Sequence, residues 1–355
     1  MKILNKIFPH FVGIDIGSAS IKVMEVNRVG KKVVLKNYVY MESATYEGKP
    51  FRSFEKETLF LAIDQSVDAI KACFDAAEMH PHKVVFSLPD FSSFFISFEL
   101  PLMSGGELTK AINFHASKYV PIPMDEIVLD WKQIGPSPRK KEKKDVLHIL
   151  AIAIPKTTMD QYRGVANAVG VSNLVLEPEA FSLFRVFAPK DDQPLCIIDF
   201  GAKSTTLSFG DKDGLQSSHS LDVAGEKIIE VLKERIDLKE EEARTLLKKS
   251  GFLSDQPVVY EILAETMNPL IGAFNESWRA MQKRGSVLDQ RPNVILVGGL
   301  AGIPGMSDYL KDALNTNIQI GNPMAEIEYP PALGPIIREI GPAFGVAAGA
   351  SMRVF

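Results

Sequence analysis

Two short segments of this chain carry the same pattern. Ile14-Asp15-Ile16-Gly17-Ser18-Ala19-Ser20 and Ile198-Asp199-Phe200-Gly201-Ala202-Lys203-Ser204 both read I-D-x-G-x-x-S, with their aspartates 184 positions apart. Each follows an apolar run that reads as a buried strand, and each turns into a second strand through the glycine and hydroxyl residues. One D-x-G turn is an ordinary feature of β-proteins. Two copies at domain-length separation argue for a duplicated unit with a shared ligand. Glycine lets a backbone approach a bulky anion, and turn N–H groups can point at phosphate oxygens. A carboxylate repels phosphate, so its place in the pattern makes sense when a hydrated Mg²⁺ stands between them. Lys22, on the returning strand, adds a point charge near the phosphates.

A third segment, Val294-Ile295-Leu296-Val297-Gly298-Gly299-Leu300-Ala301, puts two glycines where a strand enters a turn, bare backbone on which a flat ring could lie. Glycine demanded by packing alone is the competing explanation. Composition narrows the field. With 355 residues and 40 basic against 44 acidic side chains, the chain suits two domains or one large bilobal unit and has no broad basic face for nucleic acid. Its basic run, Arg139 to Lys144, reads as a solvated loop tip. Cys73 and Cys196 sit in apolar surroundings and read as buried thiols of a reducing compartment. No run of 18 apolar residues occurs, and the first ten residues do not fit a secretory signal, so a cytoplasmic location is expected. No P-loop, dinucleotide fingerprint, zinc spacing or nucleophile elbow is present.

The expected order is a three-strand meander to Tyr40, then a helix carrying Leu59, Ile63, Val67, Ile70 and Phe74. An α+β insert follows, with a strand at 84–88, another in which Phe94, Ile96, Phe98 and Leu100 alternate, and a helix opened by Ser104 and Glu107 that includes Tyr119. A hairpin of 127–134 with 146–154 and a helix ending at Gly170 complete it. The second half restarts at Leu195 and becomes mostly helical from Gly225 to Arg284, with a kink or break expected at Pro269.

These motifs resemble the phosphate-1, phosphate-2 and adenosine segments of the actin-like ATPase superfamily. The resemblance implies an α/β, actin-like (ribonuclease H-like) two-lobed fold. Within the superfamily the chain is similar to the PilM family of type IV pilus assembly proteins, in the branch that also contains the cell-division protein FtsA. That narrower likeness rests on the position of the insert, on Glu99-Leu100-Pro101-Leu102-Met103-Ser104, on Tyr119-Val120-Pro121-Ile122-Pro123, and on Pro342 to Ala350. It implies a first-lobe core of 1–90, 170–190 and 335–355 and an inserted α+β subdomain of 91–169. The second-lobe core would be 191–224 and 291–334, with a helical subdomain at 225–290.

The resemblance also distributes roles. Asp15, Gly17, Ser18, Ser20, Lys22, Asp199, Gly201, Lys203, Ser204 and Thr205 would bind the phosphates of ATP, with Asp15 and Asp199 holding Mg²⁺ through water. Gly225, Gly298, Gly299 and Ala301 would bind adenosine, with Glu241, Arg244 and Lys248 as candidates for the base or ribose. A solvated charged face is the alternative for those three. Ala224 stands where the family has a second glycine, and Leu247 where it has a lysine. Glu177, in Leu176-Glu177-Pro178-Glu179-Ala180, would lie near the attacking water.

The implied function is an ATP-binding scaffold, slow at most in hydrolysis, that captures the cytoplasmic N-terminal tail of a PilN-like inner-membrane protein. It would sit peripherally at the inner membrane through that partner, without inserting, and pilus motor ATPases are further candidate partners. Phe95, on the opposite face of its strand from the inward-packing residues, is a candidate for the peptide groove, with a second small core under the neighbouring helix as the alternative. A polymerising FtsA-like ATPase and a small-molecule kinase of the same superfamily are the alternatives.

Overall fold

The computed structural model describes residues 10–43, 48–55, 58–81, 83–103, 105–134, 146–191, 193–283 and 291–353. Ser104, His82 and the basic run 139–144 lie outside them. The chain divides into two units, Met1–Ser92 with Thr157–Phe187 and Gly321–Phe355, and Ser93–Lys156 with Ala188–Ile320.

The first unit opens with β1 (His10–Ile16), β2 (Ser20–Val29) and β3 (Lys32–Glu42), continues through β4 (Arg52–Glu55), β5 (Thr58–Leu61) and α1 (Ile63–Ala76), and adds β6 (Lys83–Leu88). The chain then builds an insert of β7 (Phe94–Pro101), α2 (Gly105–Ala116), β8 (Ile127–Ile134) and β9 (Val146–Pro155). It returns to the first unit with α3 (Lys156–Ala168), β10 (Asn173–Pro178) and α4 (Glu179–Phe187). The second unit contains β11 (Leu195–Phe200), β12 (Thr205–Asp211), β13 (Gly214–Leu221), α5 (Gly225–Ile236), α6 (Glu240–Lys249), α7 (Pro257–Lys283), β14 (Asn293–Val297), α8 (Met306–Leu314) and β15 (Ile318–Ile320). The first unit closes with β16 (Ile327–Glu328), α9 (Gly334–Ile340) and α10 (Gly345–Ser351).

The duplication suggested by the repeated motif is present in the sheets. In the first unit the order is β10-β6-β1-β2-β3, with β16 added at the edge; in the second it is β15-β14-β11-β12-β13. Counting the five shared strands in chain order, both sheets run 5-4-1-2-3, with the first strand parallel to the fourth and antiparallel to the second. A parallel step requires a crossover, and helices supply it in both halves.

Helix periodicity explains the cores. On α7, Val259, Ile262, Leu263, Met267, Leu270, Phe274, Trp278 and Met281 recur at steps of one, three and four, and all are buried. Each contributes roughly 1.5–3 kcal/mol when removed from water. This stripe carries the helix unbroken through Pro269, so no break occurs there. Leu59 belongs to β5 rather than to a helix: Leu59 and Leu61 point inward while Thr58 and Phe60 are exposed, an alternation of period two. Tyr119 lies beyond α2 and is exposed, because the apolar face of α2 is completed by Ile112 and Ala116.

The insert has a sheet of order β7-β9-β8. One face packs Ile96, Leu100, Ile149 and Ala151 against Ile112 and Ala116 of α2. The other face meets β13 and the turn before it: Ser97 Oγ donates to the Gln216 carbonyl at 2.6 Å, and Lys132 Nζ to the Asp213 carbonyl at 3.2 Å. The insert therefore belongs to the second unit.

Candidate functional site

In the first unit the repeated motif is a tight four-residue turn joining β1 to β2. Gly17 N donates to Ser20 O at 2.9 Å, with Ile16 paired to Ile21 and Asp15 to Lys22. A Cβ at residue 17 would stand 2.9 Å from Ser20 O and 3.1 Å from Lys22 Nζ, so only glycine fits. Asp15, Ser18, Ser20 and Lys22 are all buried, and Lys22 Nζ lies 3.0 Å from Asp15 Oδ2. A lysine and an aspartate at paired positions of a hairpin neutralise one another at little entropic cost.

The second unit repeats the construction. Gly201 N donates to Ser204 O at 3.1 Å, Phe200 pairs with Thr205, and Asp199 with Thr206. A Cβ at residue 201 would fall 2.8 Å from Ser204 O. Asp199 is half-buried, and the Thr205 hydroxyl is used structurally, donating to the Val223 carbonyl. Lys203 Nζ lies 3.6 Å from Glu226 Oε2.

Two more of the expected segments meet this second turn. Gly225 N donates to Gly201 O at 3.2 Å and Glu226 N to Ala202 O at 2.8 Å, which seats the start of α5 on it. A Cβ at Gly225 would lie 2.2 Å from Leu300 Cδ1, the end of a half-buried side chain that would have to move aside. Ala224 is accommodated in extended backbone as the residue preceding α5. On the other side Leu300 N donates to Phe200 O at 3.2 Å. Gly298 has φ +99°, and a Cβ on it would stand 2.4 Å from Phe200 O and 2.5 Å from Asp199 Oδ1. Gly299 is exposed with nothing near a Cβ, while Ala301 is buried in the core. The second unit thus gathers Asp199, Gly201, Gly225 and Gly298 at one end of β11.

Glu241, Arg244 and Lys248 do not join that group through any contact among the described residues. They are exposed on α6, where Arg244 pairs with Glu240 at 2.8 Å, while Ala243 and Leu247 face the core. Phe95 is half-buried on the face of β7 that also presents Ser97 to β13.

Glu177, near the end of β10, is 3% exposed. Its carboxylate accepts from Ser182 Oγ at 2.6 Å, from Arg185 Nη1 and Nη2 at 2.6 and 2.9 Å, and from Arg353 Nη1. Burial pushes this acid up, but the hydrogen bonds and charge of Arg185, with Ser182 and Arg353, outweigh it and hold Glu177 below the ordinary carboxylate range.

Its neighbour Glu179 was not singled out by the sequence. Glu179 Oε1 lies 2.7 Å from Arg52 Nη1, both side chains 8% exposed, and Asp90 N donates to Glu179 Oε2 at 3.4 Å. The fully buried Tyr162 adjoins this pair, and Asp15 is within electrostatic reach of it. Burial, opposed by Arg52 and reinforced by Asp15, lifts Glu179 above its ordinary range, and burial pushes the Tyr162 phenol up to about 12. Arg52 sits in a short ribbon outside every motif, so no local pattern announced it.

These donor sets suit a metal-bound polyphosphate. Each turn offers one carboxylate, N–H groups beside a glycine that a Cβ would fill, and hydroxyls. The first adds an ammonium that Asp15 holds at 3.0 Å.

A family profile described as "Type IV pilus assembly protein PilM" matches residues 13–355. Among solved structures, a PilM–PilN type IV pilus biogenesis complex is similar at TM-score 0.74 and 21% identity, covering 96% of this chain and 97% of that one. MreB5 of Spiroplasma citri bound to ADP matches at TM-score 0.55 and 13% identity, covering 96% and 94%. The ethanolamine utilization protein EutJ from Carboxydothermus hydrogenoformans matches at 0.54 and 14%, covering 97% and 89%. The fold is that of the actin-like ATPases, as the resemblance of the motifs implied.

Proposed function

The chain belongs to the type IV pilus assembly protein PilM family, and we propose that it acts in pilus assembly as a nucleotide-responsive scaffold for a PilN-like membrane protein. The observation that carries the nucleotide part is the identity of the two turns. The same 5-4-1-2-3 sheet, used twice, carries an aspartate as the penultimate residue of its first strand each time, with a glycine that a Cβ would spoil just past the strand's end. Core packing has no need of such a repeat. The MreB5 neighbour was solved with ADP, which accords with this assignment.

In this reading Asp15 and Asp199 hold Mg²⁺ through water, and the backbone around Gly17, Ser18 and Ser20 and around Gly201, Lys203, Ser204 and Thr205 receives the phosphates. Lys22 exchanges Asp15 for a phosphate oxygen. Gly225, Gly298 and Gly299 form the floor for adenosine, with Ala301 backing it from the core, and Glu241, Arg244 and Lys248 are the candidates for the base or ribose. ATP and Mg²⁺, when bound, supply the opposite charges that reward one arrangement of these groups over another. Glu177 is the carboxylate that the resemblance puts beside the attacking water. Its clamp of Arg185, Ser182 and Arg353 leaves it poorly suited to accept a proton, so we infer slow hydrolysis at most.

The partner part rests on family membership and on the PilM neighbour having been solved with PilN. We assign the partner's segment as its N-terminal cytoplasmic tail, which would keep this chain peripheral at the inner membrane. Among the described residues no helix is long and apolar enough to cross a membrane. Phe95 remains a candidate for the tail's groove. A pull-down with synthetic N-terminal tails, with and without Mg²⁺ and ATP and repeated with Asp15→Ala and Asp199→Ala, tests both parts. Capture that depends on nucleotide and is lost in both variants supports the scaffold. Tail affinity indifferent to nucleotide and to both variants removes nucleotide from the function.

A further inference from the structure

We propose that Arg52 is a positioning residue for the Gly17–Ser20 turn, acting through its buried ion pair with Glu179. This deepens the nucleotide reading and rests on it for the affinity measurement alone.

The argument begins with connectivity. Phe51 N donates to Ser18 O at 3.1 Å, and Ala62 N donates to Phe51 O at 2.8 Å, so the residue before Arg52 is bonded both to the turn and to the start of α1. Phe51 is fully buried. Arg52 then carries the connection inward. Its guanidinium meets Glu179, the first residue of α4, whose other oxygen accepts from Asp90 N just beyond β6. One arginine therefore joins the turn after β1 to the segments that follow β6 and β10, all at the carboxyl ends of parallel strands. In open α/β sheets that end is where ligands bind.

Packing alone does not explain this pair. Taking two ions out of water costs several kcal/mol each, and well-packed apolar residues of similar volume often serve stability as well or better. Arg52 Nε has no hydrogen-bond acceptor among the described residues, and the Tyr162 hydroxyl beside the guanidinium is likewise without one. Arg52 Nη1 and Glu179 Oε1 also make no hydrogen bond of good geometry, so the pair is held by charge, with Asp15 as the next carboxylate in reach. Lys22, on the returning strand β2 and 3.0 Å from Asp15 Oδ2, is the cation that can move to a phosphate. Arg52 is the cation that stays, so Asp15 keeps a positive neighbour in both situations.

The test uses the full chain and four variants, Arg52→Lys, Arg52→Ala, Glu179→Gln and Arg52→Ala/Glu179→Gln. Hydrogen–deuterium exchange without nucleotide follows the peptide spanning 12–22, with the peptide spanning 196–207 as internal reference. Arg52→Ala and the double variant are expected to raise exchange at Gly17–Ser20 about tenfold while leaving Gly201–Ser204 unchanged. The double variant, which strands no buried charge, should recover most of the thermal stability lost in Arg52→Ala without recovering protection of the turn. Binding of ATP with Mg²⁺, measured by equilibrium dialysis, should weaken about tenfold in the double variant and less in Arg52→Lys. Wild-type protection of the turn in Glu179→Gln and the double variant would overturn the proposal. Should the wild-type chain bind no ATP while the exchange result holds, the positioning role stands and the nucleotide reading falls.

Discussion

Arg185 places both terminal nitrogens of its guanidinium on the Glu177 carboxylate, Nη1 to Oε1 at 2.6 Å and Nη2 to Oε2 at 2.9 Å, and Nη1 also reaches the Gly349 carbonyl at 2.7 Å. This fork is a fixed geometry that an ammonium cannot reproduce. It fastens the end of β10 to α4 and α10 in one step.

Removing half of that fork should therefore be costly. Arg185→Ala leaves Glu177 buried with its main partner gone, and a loss of about 3–5 kcal/mol in urea denaturation is expected. Arg185→Lys should recover only part of it.

The same group sets an acid limit. The folded-state pKa of Glu177 lies below its ordinary value, so its contribution is fully present above the unfolded carboxylate pKa and is lost as pH falls through the folded one. Stability measured downward from pH 5 should fall more steeply in the wild type than in Glu177→Gln. Glu179, shifted upward, contributes with the opposite sign: its ionisation opposes folding as pH rises from the ordinary carboxylate value through its raised one. Parallel slopes for wild type and Glu177→Gln would contradict the assignment.

Gly298 and Gly299 separate packing from binding. Gly298→Ala would force a side chain into φ +99° and against Phe200 O and Asp199 Oδ1, so a loss of more than about 2 kcal/mol is expected. Gly299→Ala meets nothing within 4 Å and should leave the melting temperature nearly unchanged. If adenosine lies on this backbone, Gly299→Ala weakens ATP binding without destabilising the fold. Equal ATP affinity in Gly299→Ala and wild type would restrict the glycine pair to a structural role.

Gly13 and Gly349 mark where α10 rests on β1 and α4. A Cβ at Gly13 would lie 2.2 Å from Ala347 O, and one at Gly349 would lie 1.9 Å from Ser182 O. Both obstacles are backbone, which cannot step aside. Gly13→Ala or Gly349→Ala should abolish soluble expression or lower the melting temperature by many degrees, whereas Gly272→Ala, with open space around it, should not.

The sequence by itself determined the duplicated architecture. A repeated I-D-x-G-x-x-S on apolar runs specifies two hairpins, and strand and helix periodicities are local properties that survive without knowledge of the rest of the chain. The tight turns at Gly17 and Gly201 follow from glycine chemistry in the same way. The convergence of Gly225 and Gly298 on the second turn was foreshadowed by resemblance, and the backbone bonds of Gly201 and Phe200 realised it. Only the tertiary structure decided the partners of long polar side chains. It gave Glu177 to Arg185 and Arg353, Glu179 to Arg52, and the insert to β13 through Ser97. The reason is one of range: turns and periodicities are set within a few bonds, whereas Arg353 and Glu177 meet across 176 positions only because separate packing events bring them together.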